Sequence, residues 1–148
     1  MLASFTRGTI RLLDRVLPKG RRDGDLPAHH RVGRRGEEEA YFFLRKRGYD
    51  MVARNYRSAR RRGEIDLVGW DRDVLCFGEV KTHTSRDVKP PEAAVDREKR
   101  RELGGMARDY LRRVREEVPW RFDVVSIYYE NAGAPPHIEL FKNAFPVS

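Results

Sequence analysis

Apolar positions along this chain recur in two periods, one helical and one alternating, and the two are segregated. Leu2, Phe5, Leu12, Leu13 and Val16, with Thr9, fall at helical spacing and predict a short amphipathic helix near the start. Pro18, Gly20, Gly24 and Pro27 then punctuate a polar, basic stretch, so residues 1–32 read as a basic N-terminal extension, partly flexible. A single domain is expected over residues 33–148. Within it, the segment from Gly36 to Gly48 places Ala40, Phe43 and Leu44 on one helical face, with acids at its start and bases at its end to suit the helix dipole. Tyr49 to Tyr56 is an extended piece. Glu64 to Trp70 and Val74 to Thr82 alternate as strands around the turn Asp71-Arg72-Asp73. Pro90-Pro91 opens a second helical stretch carrying Val95, Leu103, Met106, Ala107, Tyr110, Leu111 and Val114, in which Gly104-Gly105 marks a bend or break. Arg121 to Tyr129 is rich in β-formers, and His137 to Phe141 reads as its partner strand. The order is αβββαβ with one further strand, an α/β pattern.

Composition narrows the class. A chain of 148 residues closes one core, and its seven Phe, six Tyr and two Trp supply the apolar area for it despite a 36% charged fraction. Cys76 is the single cysteine, which excludes an internal disulfide framework and a multi-cysteine zinc site. A reducing, cytoplasmic location is the expectation. No stretch approaches the ~20 apolar residues of a membrane span, and Arg7, Arg11, Asp14 and Arg15 break up any secretory signal run. The net charge of +8 is concentrated in the first half, where residues 1–62 carry 17 Lys and Arg against 7 Asp and Glu. Arg45-Lys46-Arg47 and Arg60-Arg61-Arg62 are the densest runs. Such clusters suit a polyanion, nucleic acid before an anionic membrane surface; a solvated surface explains them equally well.

The segment GEIDLVGWDRDVLCFGEVK, Gly63 to Lys81, is where chemistry is expected. In a hairpin that pairs Trp70 with Leu75, Asp66 lies opposite Glu79 and Glu64 opposite Lys81, all on one face. Ile65, Leu67 and Val80 then point to the other face. Three carboxylates and a lysine projecting from apolar strands are costly unless they are partnered or hold a cation. Clustered carboxylates are the ligands a hard divalent cation takes, and a lysine beside them offsets phosphoryl charge. The plainer alternative is a surface charge ladder with a Glu64–Lys81 cross-strand pair.

One set of residues narrows the choice. Gly33-Arg34-Arg35-Gly36-Glu37 through Ala40, Gly48-Tyr49, Arg54-Asn55, Gly63 to Val68, Glu79-Val80-Lys81, Lys99 and Arg121-Phe122-Asp123, taken in order, closely resemble the YraN family. Its members are largely uncharacterised, predicted endonuclease-like proteins, and the resemblance spans about residues 33–130. It implies a restriction-endonuclease-like core with a central mixed sheet flanked by helices, and a PD-(D/E)xK-type site similar to that of archaeal Holliday junction resolvases. By that resemblance Asp66 and Glu79 hold Mg²⁺ or Mn²⁺, Lys81 is the catalytic lysine, and Glu37 is an additional acid of the metal site. Glu64 sits beside the site. Three positions depart from the pattern: Ile65 replaces a proline of the wider superfamily, Gly78 a branched apolar residue, and His83 an arginine. None removes an implied ligand.

Lys99 matches a family lysine and is a candidate phosphate contact near the site, with a solvated helix face as the alternative. Arg57, Arg60, Arg61 and Arg62 are candidates for nucleic-acid binding. Asp123 is read as structural, paired with an arginine, and Trp70 as packing rather than base stacking. His29-His30 has no ligand partners nearby. The expected activity is metal-dependent hydrolysis of phosphodiester bonds in DNA, including branched DNA, with a homodimer favoured if two symmetric strands are cut. Two other classes compete: a non-catalytic nucleic-acid-binding protein that keeps the nuclease fold, and a protein interaction or assembly module.

Overall fold

The computed structural model describes residues 28–84, 96–131 and 133–146. The early amphipathic helix, the Pro90-Pro91 opening and Val95 lie outside these residues. The described elements are helix α1 (Ala28–Lys46), strands β1 (Asp50–Tyr56), β2 (Ile65–Asp71) and β3 (Val74–Thr84), helix α2 (Arg97–Leu111), and strands β4 (Trp120–Tyr129) and β5 (His137–Phe141). They form one five-stranded sheet in the order β1-β2-β3-β4-β5. β1 to β3 form an antiparallel meander, β4 runs parallel to β3, and β5 returns antiparallel to β4. The parallel step needs a crossover, and the segment carrying α2 makes it. This is an α/β fold with a mixed sheet, consistent with a restriction-endonuclease-like core.

α1 differs from the expectation at its start. It begins at Ala28, directly after Pro27, and runs through Gly33 and Gly36 to Lys46. Its first turn holds no acid, so Glu37, Glu38 and Glu39 lie mid-helix rather than at the dipole's positive end; Arg45 and Lys46 do occupy the last turn. Gly48 at φ 91° ends the helix, with the Tyr49 N–H donating 3.0 Å to the Leu44 carbonyl.

The sheet separates two apolar clusters. On the α1 face, Ala40 and Leu44 pack with Tyr49, Met51, Leu67, Cys76, Val125 and Ile127. On the α2 face, Leu103, Met106, Ala107 and Tyr110 pack with Val68, Leu75, Phe77, Phe122 and Val124. Fully buried Phe77 meets Tyr110 and Trp120 edge-on at 5.8 and 5.7 Å, the geometry that the ring quadrupoles favour. Leu67 and Val80 share the α1 face as the alternation requires, but Ile65 does not. It is the first residue of β2, two positions after left-handed Gly63 (φ 88°), and it turns into the α2-side cluster beside Tyr56.

Asp96 caps α2, its Oδ1 accepting the Lys99 N–H at 2.8 Å. The helix is not broken at Gly104-Gly105, and both glycines are buried inside a continuous helix. Gly105 leaves room for what crosses it: a Cβ there would displace the Arg61 guanidinium. Arg61 and Ser58 reach over the helix to Asp109, at 3.2 and 2.6 Å.

At the start of β4, Asp123 is 1% exposed and fully partnered. Its carboxylate accepts from Arg121 Nε at 2.8 Å, the Tyr49 hydroxyl at 3.2 Å and the Asn143 backbone N–H at 3.0 Å. Arg121 also donates to Asp71 at 2.7 Å. The network ties the hairpin turn, β1 and the chain after β5 to the sheet, so Asp123 is structural as its sequence context indicates. Trp70 packs against the α2-side cluster.

Candidate metal-binding site

The site begins where a β ladder stops. β2 and β3 pair from Asp71↔Val74 to Leu67↔Gly78. Beyond that point β2 continues with β1 as far as Tyr56↔Ile65, while β3 continues with β4 as far as Thr84↔Tyr129. The two central strands part, and Asp66 Oδ2 accepts the Val80 N–H at 2.8 Å in place of the next ladder bond. Gly78 suits the last paired position, since a Cβ there would stand 3.3 Å from Leu67 Cβ. The departure from a branched residue is thus a packing match rather than a weak point.

Into this opening come acids from three elements. Glu37 arrives from α1, which lies so close to β3 that a Cβ on Gly36 would overlap Thr82 Oγ1. Glu64 comes from the residue before β2, and Asp66 from β2 itself. One carboxylate oxygen from each lies within 4.8 Å of the others. Asn55 helps to hold them: its Nδ2 donates to Glu37 Oε2 at 3.0 Å and to Glu64 Oε1 at 3.3 Å. Asn55 adopts φ 50°, a left-handed conformation that asparagine tolerates better than most residues. Its motif is visible in the sequence but its bridging role is not, because that role needs α1 and β2 side by side.

Glu79 stands on β3 with its side chain 4% exposed. Lys99 from α2 and Lys81 from β3 both bind its Oε1, at 2.5 and 3.3 Å. Its Oε2 is buried and has no hydrogen-bond partner. The Glu64–Lys81 pair of the charge-ladder alternative does not form, because Glu64 pairs with Arg57 at 3.2 Å and Lys81 with Glu79.

The charges are held at a cost. Burial, then the nearby Glu79, pushes the Asp66 carboxyl up to about 8, with Glu37 and Glu64 adding repulsion. Burial also raises Glu37 and Glu64 reinforces it, while Asn55, Arg54 and Arg34 pull it back. For Lys99, burial opposes the charge, yet Glu79 outweighs it and keeps the ammonium above the ordinary lysine value.

These features fit a hard divalent cation. The donors are all carboxylate oxygens, one buried oxygen lacks a partner, and added positive charge would relieve the repulsion around Asp66. Glu64, placed beside the site by its sequence, falls within the three-acid group. Glu79 adjoins that group through its effect on Asp66.

The four candidate arginines separate. Arg57 sits on Glu64 and is 77% exposed, whereas Arg61 is anchored on Asp109. Arg60 and Arg62 are exposed on the loop. His83 is buried and stacks on Tyr128 at 4.8 Å.

A family model described as uncharacterised protein family UPF0102 matches residues 36–127. The UPF0102 protein of Koribacter versatilis is 49% identical over 144 residues, 97% of this chain and 96% of its own length. The chain belongs to family UPF0102. Its YraN-like motifs are therefore family motifs, and the matched region contains Glu37, Asn55, Glu64, Asp66, Glu79, Lys81 and Lys99. A UPF0102 protein of Solibacter usitatus is 50% identical over 122 residues, covering 80% of this chain and 87% of that protein. One from Porphyromonas gingivalis is 41% identical over 119 residues, covering 80% and 87%. No helix among the described residues is long and apolar enough to cross a membrane.

Proposed function

We propose that this UPF0102 protein is a metal-dependent endonuclease that hydrolyses phosphodiester bonds in DNA, branched DNA included. The observation that carries this reading is the half-buried carboxylate group at the parting of β2 and β3, with Lys81 and Lys99 against buried Glu79. Asp66, Glu79 and Glu37 hold Mg²⁺ or Mn²⁺, and Glu64 completes or borders the set. A bound cation supplies Lewis-acid stabilisation of the phosphate and a more acidic attacking water.

The chain's own groups do the rest. Asn55 fixes the separation of Glu37 and Glu64. The Val80 N–H anchors Asp66 through Oδ2. Lys81 lies on the same strand face as Glu79 and brings an ammonium to the phosphoryl charge. Lys99 steadies Glu79 through Oε1 and leaves Oε2 for the cation. Arg57, Arg60 and Arg62 lie on the loop before β2, where they contact flanking phosphates; Arg61 contributes mainly by holding that loop to α2.

The test is cleavage of labelled linear, forked and four-way-junction DNA with Mg²⁺, Mn²⁺ or EDTA, comparing wild type with Asp66→Ala and Lys81→Ala. Metal-dependent cutting that disappears in both variants while DNA binding persists is the expected result. Binding without cutting in either metal would replace this reading with that of a DNA-binding protein retaining the nuclease fold, which the basic first half of the chain supports. Absence of both would point to the assembly module.

A further inference from the structure

Beside the acid cluster, α1 carries a stripe of arginine and aromatic side chains that the carboxylate chemistry does not use. Arg34, Glu37, Tyr41 and Arg45 follow one another at three- and four-residue steps along one face of the helix. Glu37 belongs to the acid cluster, so the stripe leads directly away from it. From Glu37 to Arg45 the helical rise covers about 12 Å. β1 adds Arg54, whose guanidinium lies 4.6 Å from the centre of the Tyr41 ring, with that of Arg45 at 5.7 Å. Arg54 immediately precedes Asn55, the residue that bridges Glu37 and Glu64. Next to Tyr41, edge-on to it at 5.3 Å, Phe42 is 47% exposed, one of two large apolar side chains exposed among the described residues.

Each half of this arrangement points to the same ligand. Arg34, Arg45 and Arg54 are exposed and reach phosphates without leaving the helix–strand surface. Tyr41 is half-buried against the core with the Arg54 guanidinium over its ring, so the ring left open is that of Phe42, which finds a partner in an unpaired base, whereas a duplex hides its base faces in the stack. Glu38, one turn before Phe42, lies on the same exposed side, so phosphates follow the Arg34–Arg45–Arg54 line while Phe42 at its margin meets a base.

We propose that the α1–β1 stripe of Arg34, Tyr41, Phe42, Arg45 and Arg54 binds a single-stranded DNA segment and delivers it to the acid cluster. The inference rests on the nuclease reading for its substrate, while its test does not need catalysis. Binding is measured in EDTA by fluorescence anisotropy, with a labelled oligo-dT, a blunt duplex and a splayed-arm DNA across a salt series. Variants are Arg45→Gln/Arg54→Gln, Phe42→Ala, and the loop control Arg60→Gln/Arg62→Gln, each checked by thermal melting for an intact fold. Oligo-dT and splayed-arm DNA should bind more tightly than the blunt duplex. Phe42→Ala should lose about tenfold on oligo-dT and little on duplex. The double stripe variant should weaken both single-stranded ligands and lower the logarithmic salt slope by about 1.4. Tighter binding of the blunt duplex, or loss confined to the loop control, overturns the proposal. If the stripe variants lose oligo-dT binding but wild type cuts nothing with metal, the nuclease reading fails and the single-strand site stands.

Discussion

Replacing Asp66 by asparagine should stabilise the metal-free protein, and the gain should depend on pH. Asp66 is pushed from 3.8 to about 8 by burial and by Glu79, Glu37 and Glu64. For an acid raised in the folded state, the native protein binds more protons than the unfolded chain between those two values, so stability falls as pH rises through that window. At about 1.4 kcal/mol per pH unit, the full loss by pH 7 is on the order of 4 kcal/mol. Asparagine removes the charge, and its Oδ1 can still accept the Val80 N–H that Asp66 now takes at 2.8 Å. Its amide N–H₂ then needs partners of its own, for which the neighbouring carboxylates serve. Local relaxation and water penetration lower that cost in wild type, so the expected gain at pH 7–8 is about 2 kcal/mol. For a chain of this size that corresponds to a melting temperature about 4–8 °C higher. Urea unfolding of both proteins in EDTA at pH 4.5, 6, 7 and 8 reads it directly. The curves should meet near pH 4.5 and diverge as pH rises. Adding Mn²⁺ should stabilise wild type and leave Asp66→Asn nearly unchanged. Equal stability at pH 8, or a gain that is the same at pH 4.5 and pH 8, would refute the claim that the folded site penalises the ionised form of Asp66.

Three more outcomes follow from contacts elsewhere. Asp123→Ala removes the acceptor of the Arg121 Nε, the Tyr49 hydroxyl and the Asn143 N–H together, leaving Arg121 only Asp71, and should cost about 3 kcal/mol, seen as a melting temperature about 10 °C lower. Gly36→Ala should destabilise by about 1–3 kcal/mol although alanine favours helix, because its Cβ meets Thr82; Gly36→Ala/Thr82→Ala should recover that loss in urea titrations. Lys81→Met and Lys99→Met each leave Glu79 Oε1 one ammonium, so each should cost about 1 kcal/mol. The double variant should cost well over their sum, as a thermodynamic cycle on purified proteins would show.

Much of the architecture was legible from local pattern. Period-2 alternation located β2 and β3 and put Trp70 opposite Leu75 as expected, while the turn is tighter than expected, with Asp71 paired to Val74. The helical periodicities located α1 and α2, with Asp96 as a cap where the described helix begins. The errors fell where a local rule met a tertiary contact. Gly33 and Gly36 look like helix breakers, yet α1 runs through them, since Gly36 is where helix and sheet touch. Gly104-Gly105 looks like a break, yet Arg61 crosses the helix at Gly105 and the helix runs on unbroken.

The candidate site divides along the same line. Strand alternation and family motifs identified Asp66, Glu79, Lys81 and Glu37 as its chemical groups, because residue type and spacing are properties of the chain. Which of them share an oxygen cluster was set by the parting of β2 from β3, which depends on their other neighbours, β1 and β4. That parting brought Glu64 together with Glu37 and Asp66, gave Asn55 its bridge and turned Lys99 onto Glu79. These contacts join residues from separate elements, so no local period encodes them. The sequence by itself determined the elements and the chemical inventory; tertiary packing decided which charges meet, because burial and distance exist only once the sheet and its two helices have closed.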